Sequence, residues 1–284
     1  MFASTSYVMI YPLDRGENFF LINDKIYSTK ELNSNLILEG QVIYEVLRVV
    51  GTKPIFLQEH LERLYKSCSI SGFECPMIEK IKENILKLLT DNPVDEKNLK
   101  ISIIFDPNKM SFIQLLAYFI DSHYPPQSDY QNGVKLELLS RERKNPNVKL
   151  ENPEMRGDAE RMICISQTSE VLLVDKDGYI TEGSRSNFFA LKDETIITSP
   201  SSTVLEGITR KKVLEICEKE GIPFLEQKIH TTDLNSLDGV FITGTSSKVL
   251  PVNRIGNITF NVGLPIIQRI MFLYDDLVIL ELSR

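Results

Sequence analysis

Strand-like and helical patterns of hydrophobic residues alternate in the first half of the chain. Apolar residues at 19–22 and 26–27 flank a turn-forming Asn-Asp-Lys segment, which predicts a hairpin. A second hairpin is predicted from residues 42–50 and 54–57, which flank a Gly-Thr-Lys turn. These patterns indicate two antiparallel strand pairs before the first helix.

Two helices and two further strands are predicted next. Apolar positions at helical spacing predict helices over 58–69 and 78–89, and the second has the clearer apolar face. β-branched composition predicts strands over 99–105 and 113–120. The first half is therefore expected to have a mixed α/β (α+β) fold.

A polar, proline-containing segment at 122–132 is typical of an interdomain connection. A boundary there divides the chain into a smaller N-terminal α/β domain, residues 1–125, and a larger C-terminal domain, residues 126–284. The larger domain is predicted to have strands at 134–139, 171–174, 179–181, 187–191, 195–198, 224–228 and 240–243. Its helices are predicted at 153–164, at 208–220 and from about 264.

Composition narrows the class of protein. The chain has 284 residues, of which 42% are hydrophobic and 25% charged, as in ordinary globular proteins. Its net charge of -7 argues against a nucleic-acid-binding protein, because such proteins cluster Lys and Arg. The N-terminus has no signal-peptide pattern, and no apolar run approaches the length of about 18 residues expected of a membrane span. We therefore expect a cytoplasmic protein that binds neither membranes nor nucleic acid.

The four cysteines add to this expectation. They contain no C-x-x-C pair and no dense framework, so the sequence predicts neither a metal site nor a set of disulfides. They are read as reduced cysteines.

Two glycine-containing motifs carry the candidate chemistry. Residues 181–189 (Thr-Glu-Gly-Ser-Arg-Ser-Asn-Phe-Phe) place a carboxylate, Glu182, on a tight glycine turn beside a strand. Residues 205–210 (Leu-Glu-Gly-Ile-Thr-Arg) place Gly207 where a helix begins, and the N–H groups of a helix start favour an anion. A ligand with a basic ring and a phosphate would satisfy both motifs.

These motifs and four others occur in an order that resembles the fold-type IV pyridoxal-phosphate (PLP) enzymes. The others are residues 44–48 (Tyr-Glu-Val-Leu-Arg), 60–64 (His-Leu-Glu-Arg-Leu), Lys149 and 244–246 (Gly-Thr-Ser). This class IV aminotransferase family includes branched-chain and D-amino-acid aminotransferases and aminodeoxychorismate lyase. The resemblance implies a two-domain fold with a barrel-like C-terminal domain, and a homodimer.

The resemblance also implies the catalytic residues. Lys149, which lies 33 positions before Glu182, would sit on a strand, form a Schiff base with PLP and carry a proton at the substrate α-carbon. Glu182 would keep the ring nitrogen protonated. The alternative for Lys149 is an ordinary surface lysine, and Lys144 is the nearest competitor, although it lies too far upstream of the Glu182 turn.

Further residues would bind the cofactor phosphate and ring. Arg63 would reach the phosphate, and its alternative is a helix-surface ion pair with Glu59 or Glu62. The other cofactor-binding candidates are Ser186, Asn187, Gly207, Ile208, Thr209, Thr245 and Ser246.

The substrate side departs from the family pattern. Residues 37–43 retain Gly40 but lack the aromatic residues that members of the family carry, and the chain has no Arg-x-His pair of the kind found in D-amino-acid aminotransferases. The candidates for binding a substrate carboxylate are Arg48, Lys109 and Arg185.

The preferred function is amino-group transfer between an amino acid and a 2-oxo acid. One alternative is a β-elimination like that of aminodeoxychorismate lyase, which releases pyruvate; the Asn-Pro pair at 145–146, before Lys149, favours it. Another alternative is a binding or regulatory module that has the PLP fold and has lost catalysis.

Overall fold

The computed structural model describes residues 7–11, 19–31 and 36–283. Within these ranges the chain divides into two compact units. The first runs to His123 and also includes Val148–Glu151, whereas the second comprises Tyr124–Asn147 and Asn152–Ser283. The expectation about a signal peptide concerns an N-terminal segment that lies largely outside the described residues.

The first unit contains an antiparallel sheet and two helices. Its strands are β1 (Tyr7–Tyr11), β2 (Phe19–Ile22), β3 (Lys25–Ser28), β4 (Leu36–Gly51), β5 (Lys53–Pro54), β6 (Val94–Asp106) and β7 (Ser111–Ile120). Its helices are α1 (Leu57–Ile70) and α2 (Ile78–Asp91). The strand order is β1-β4-β6-β7-β2-β3, and β5 pairs with β4.

The long strand β4 shows why this unit folds as it does. Side chains alternate between the two faces of a strand, and Ile43, Leu47 and Val49 are fully buried in the core that also contains α1 and α2. On the opposite face, Val42 and Tyr44 belong to a second apolar cluster. Both faces of the strand are therefore covered.

The second unit is built on a ten-stranded sheet. Its strands are β8 (Val134–Ser140), β9 (Glu170–Val174), β10 (Tyr179–Gly183), β11 (Asn187–Lys192), β12 (Thr195–Thr198), β13 (Phe224–Glu226), β14 (Ile229–His230), β15 (Gly239–Gly244), β16 (Lys248–Ile255) and β17 (Ile258–Thr259). Its helices are α3 (Gln127–Asn132), α4 (Pro153–Ser166), α5 (Ile208–Glu220) and α6 (Pro265–Ser283). The strand order is β13-β12-β11-β15-β16-β8-β9-β10-β14, with β17 beside β16.

Most predicted elements are present, and the differences have local causes. Both predicted hairpins form. The strand predicted at 54–57 ends at Pro54, because Leu57 already begins α1. The connection predicted at 122–132 contains the short helix α3. The strand β16 was not predicted, and it pairs with three other strands.

None of the helices in the described part of the chain combines the length and apolar character needed to cross a membrane.

The contrast between two neighbouring residues of α2 tests the assigned core. Ile85 is fully buried, whereas Leu86 is 41% exposed. We expect Ile85→Ala to lower the free energy of unfolding by about 2–5 kcal/mol, because it leaves a cavity. Leu86→Ala is the matched control and should change it by about 0.5 kcal/mol or less. Urea unfolding followed by circular dichroism measures both, and equal losses would contradict the assigned core.

Candidate active site

Lys149 is held by the backbone of the first unit. Its carbonyl accepts a hydrogen bond from the Tyr44 N–H at 3.0 Å, and its own N–H donates to Ser67 Oγ at 3.3 Å. The next residue, Leu150, forms an isolated antiparallel bridge with Ile43. The expectation that Lys149 sits on a strand is therefore wrong in detail, because the pairing with β4 is a single bridge. This pairing also explains why residues 148–151 belong to the first unit, although the sequence interpretation assigned them to the C-terminal domain.

The Lys149 amine lies beside an aromatic ring. Its Nζ is 4.9 Å from the centroid of the Tyr44 ring, a distance at which an ammonium group is attracted to the ring. Lys100 Nζ lies 5.0 Å from the same centroid, and Lys100 also forms an ion pair with Glu151. Lys149 is therefore half-buried and lies among specific contacts.

Arg63 and His60 lie on α1 and share one carboxylate. Glu45 on β4 accepts hydrogen bonds from Arg63 Nε and Nη2, both at 2.7 Å. Its Oε2 also lies 2.8 Å from His60 Nδ1. All three side chains are buried, so the alternative of a helix-surface ion pair between Arg63 and Glu59 or Glu62 does not describe the contact with Glu45.

The pKa values in this cluster shift in ways that the contacts explain. Burial by itself raises the pKa of Glu45, but the Arg63 charge and the hydrogen bonds from Arg63 and His60 outweigh it and lower this pKa to about 2. Burial lowers the pKa of His60, and the charges of Arg63 and Lys149 add to that effect against the pull of Glu45. Since a carboxylate only accepts hydrogen bonds, His60 donates through Nδ1 as a neutral ring.

Glu182 lies in the second unit, at the end of β10. The sequence placed it on the glycine turn itself, but the strand continues through Gly183 and the turn follows. The Leu205 N–H donates to Glu182 Oε2 at 3.2 Å. Arg143 Nε lies 2.7 Å from Oε1, an ion-pair contact in which the N–H is poorly aligned with the oxygen. The Arg143 guanidinium also donates to the Ser184 carbonyl at 2.9 Å, so it joins the strand end to the turn.

The turn after Glu182 is organised by a carboxylate that the sequence interpretation did not single out. Buried Glu170 on β9 accepts hydrogen bonds from Ser184 Oγ at 2.6 Å and from the Arg185 N–H at 3.0 Å. It also accepts one from Ser186 Oγ, a predicted cofactor-binding group, at 3.3 Å. The Ser186 side chain therefore supports the turn in this structure.

The second glycine motif has the predicted geometry. Gly207 is the N-cap of α5, and Ile208 is its first residue. A Cβ at position 207 would lie 2.1 Å from Asn187 Oδ1, so only glycine fits. The Asn187 side-chain amide donates to the Leu205 carbonyl at 2.8 Å. Asn187 thus holds the turn that precedes α5. The first N–H groups of α5 are the groups that favour an anion.

The remaining candidates for binding the cofactor phosphate are residues of the second unit that carry a hydroxyl group. Thr209 lies in the first turn of α5, is buried, and has its Oγ1 3.3 Å from Tyr274 Oη. Thr245 and Ser246 are half-buried in the turn between β15 and β16. Their assignment to the cofactor stays a prediction.

The three candidates for a substrate carboxylate are all in ion pairs. These pairs are Arg48 with Glu96, Lys109 with Asp106 at 3.5 Å, and Arg185 with Glu160 at 2.5 Å. Lys109 and Arg185 are largely exposed, whereas Arg48 is mostly buried. Their substrate roles stay predictions.

Sequence reasoning missed Glu45, Arg143 and Glu170 as site residues. One signal could have revealed Glu45, since it is a charged residue at an inward position of β4, between Ile43 and Leu47. Across the described residues, no group of three or more His, Cys, Asp or Glu side chains is arranged to hold a metal ion.

Comparisons with known proteins identify the family of the chain. Residues 42–255 match the family model described as amino-transferase class IV. A D-alanine aminotransferase from Bacillus licheniformis is 31% identical over 241 residues, which cover 80% of this chain and 83% of that protein.

Solved structures establish the fold. A branched-chain aminotransferase from Thermoproteus uzoniensis superimposes with a TM-score of 0.81 at 20% identity, over 94% of this chain and 96% of that one. A Legionella pneumophila protein described as a 4-amino-4-deoxychorismate lyase has a TM-score of 0.73 at 21% identity, over 84% and 91% of the two chains. The predicted α/β fold with a barrel-like second sheet is confirmed. The chain belongs to the amino-transferase class IV family and is a PLP-dependent aminotransferase.

Proposed function

We propose that Lys149 is the amine that joins the PLP aldehyde in this enzyme, and that the enzyme moves an amino group between an amino acid and a 2-oxo acid. The observation that carries the proposal is the backbone attachment of Lys149 to Tyr44 and Ser67, together with the contact between its amine and the Tyr44 ring. A reacting amine must be held in place, and these contacts hold it.

PLP, when bound, draws electrons from the substrate α-carbon. Lys149 would act as the general base that takes a proton from that carbon and as the acid that later returns it. Because its main chain is fixed on both sides, the side chain alone has to move between these two steps.

Glu182 is proposed to hold the proton on the ring nitrogen. It is 3% exposed, and a buried carboxylate needs charged or polar partners to stay ionised. Arg143 and the Leu205 N–H provide these partners, and the carboxylate is proposed to accept a hydrogen bond from the protonated ring.

The phosphate is proposed to lie at the start of α5. The first N–H groups of this helix, including those of Ile208 and Thr209, have no acceptor within the helix, and the helix dipole favours an anion there. Thr245 and Ser246 would add hydroxyl donors, and Arg63 would add a guanidinium. The close fit of Asn187 against Gly207 supports a backbone shaped for a ligand.

The family resemblance supports proposals about the oligomeric state, the location and the substrates of the enzyme. We expect a homodimer in the cytoplasm, with amino acids and 2-oxo acids as its substrates. Sedimentation velocity of the purified protein tests the dimer.

Borohydride reduction tests the assignment of Lys149. In the protein loaded with PLP, peptide mapping should find the reduced pyridoxyl group on Lys149, because it is the positioned amine. Lys149→Ala should remove this label and abolish amino-group transfer. Lys144→Ala is the matched control, since Lys144 is exposed and only five positions away, and it should keep both. A label on Lys144, or transfer by Lys149→Ala, would refute the assignment; labelling of Lys149 with turnover of an amino donor excludes an inactive binding module.

Glu182→Gln tests the ring-nitrogen role. It replaces a charged hydrogen-bond acceptor, worth about 1.5–3 kcal/mol, with a neutral one, so kcat should fall about 10-fold to 100-fold. Glu194→Gln, an exposed position of the same unit, should leave kcat unchanged. Steady-state kinetics measure both, and an unchanged kcat in Glu182→Gln would count against the role.

The lyase alternative makes a different prediction. The Asn-Pro pair before Lys149 is the observation that favours it. A transaminase needs an amino acceptor for each further turnover, so we expect no continuing pyruvate release from aminodeoxychorismate when no acceptor is added. A lactate-dehydrogenase-coupled assay measures pyruvate, and stoichiometric release would favour the lyase.

A further inference from the structure

The cluster of Glu45, Arg63 and His60 places charged groups in the interior of the first unit. Glu45 is completely buried, and Arg63 and His60 are 9% and 2% exposed. A buried ion pair is weak evidence for stability, because the cost of removing both charges from water offsets their attraction. In other proteins, replacing a buried ion pair with well-packed apolar residues of similar size is often neutral or stabilising. The pair therefore calls for another explanation.

The contact between Glu45 and Arg63 fixes the orientation of the Arg63 side chain. Glu45 accepts hydrogen bonds from Nε and Nη2 of Arg63. These two nitrogens lie along one edge of the planar guanidinium. A bidentate contact sets both the plane and the rotation of the guanidinium. The orientation of Arg63 is thus determined by Glu45.

His60 in turn fixes the carboxylate. Its Nδ1 donates to Oε2, the same oxygen that receives Arg63 Nη2, so rotation of the carboxylate would break two hydrogen bonds at once. His60 lies one helical turn before Arg63 on α1, and both therefore face β4. The chain of contacts runs from His60 through Glu45 to Arg63.

We propose that Glu45 is a positioning residue that acts through Arg63 on the cofactor phosphate. The inference rests on the proposed phosphate role of Arg63. Glu45 does not touch the cofactor; it fixes the plane and the rotation of the guanidinium that binds the phosphate. If the contact between Glu45 and Arg63 were longer or shorter, the guanidinium could rotate. The phosphate would then lose a hydrogen-bond donor with the correct orientation.

Two ligands separate this role from a structural one. PLP and pyridoxal carry the same aldehyde and ring, and only PLP carries the phosphate. The ratio of their affinities therefore reports the phosphate contact alone. Binding of each is measured by titration of the purified apoprotein, followed by the visible absorbance of the bound ligand.

Glu45→Gln should lower the ratio of PLP affinity to pyridoxal affinity about 10-fold or more, since a hydrogen bond to a charged group is lost or misdirected. The pyridoxal affinity should stay within about twofold of the wild type. Arg63→Gln should lower the ratio at least as much, and the double variant no further, because both substitutions act on one contact. Glu62→Gln is the matched control on the exposed side of α1 and should keep the wild-type ratio.

Glu45→Asp covers the case in which Glu45→Gln does not fold. It keeps the charge but is one methylene shorter, so it should also lower the ratio. Equal loss of both affinities in the Glu45 variants, or an unchanged or increased ratio, would overturn the proposal. An unchanged ratio in Arg63→Gln overturns it while leaving the function of Lys149 intact. If the wild type gives no visible band with either ligand, the proposed function fails as well.

Discussion

The hydrogen bond from the Tyr44 N–H to the Lys149 carbonyl is the interaction on which the proposed active site depends. It attaches residues 148–151 to β4. The side chains of Tyr44 and Glu45, which are neighbours on β4, point to opposite faces of the sheet. Tyr44 meets the Lys149 amine on one face. Glu45 holds Arg63 and His60 on the other. Because side chains alternate along a strand, neighbouring residues of β4 contact the candidate amine and the candidate phosphate-binding arginine from different faces.

Both units support their candidate ligand groups through buried carboxylates. In the first unit Glu45 orients Arg63, and in the second Glu170 holds the turn that follows Glu182. A buried carboxylate is costly unless it is fully hydrogen-bonded, and each of these accepts at least three hydrogen bonds. The cost is tolerated where the orientation of another group matters. Glu45 and Glu170 thus orient candidate site residues rather than contacting a ligand themselves.

The sequence predicted elements well where the local pattern decides the structure. The helix α5 has the predicted bounds, because a glycine N-cap and apolar spacing define it. The same local signal placed Gly207 correctly, and the structure adds Asn187 as the reason that only glycine fits. The ordered motifs predicted the family and its fold, which the comparisons confirm.

Contacts between residues far apart in the chain could not be read in this way. Arg143 meets Glu182 across 39 positions, a separation that no local period reports. The single bridge that joins the Lys149 segment to β4 is likewise too short to give a strand pattern in the sequence. The strand β16 was not predicted because Pro251 interrupts its pattern.

A crystal structure with PLP would show whether Lys149 holds the cofactor. We expect continuous electron density between Lys149 Nζ and the aldehyde carbon of the cofactor, with the Lys149 carbonyl still hydrogen-bonded to the Tyr44 N–H. Bound cofactor with Lys149 directed away from it, or joined to a different lysine, would refute the assignment of Lys149.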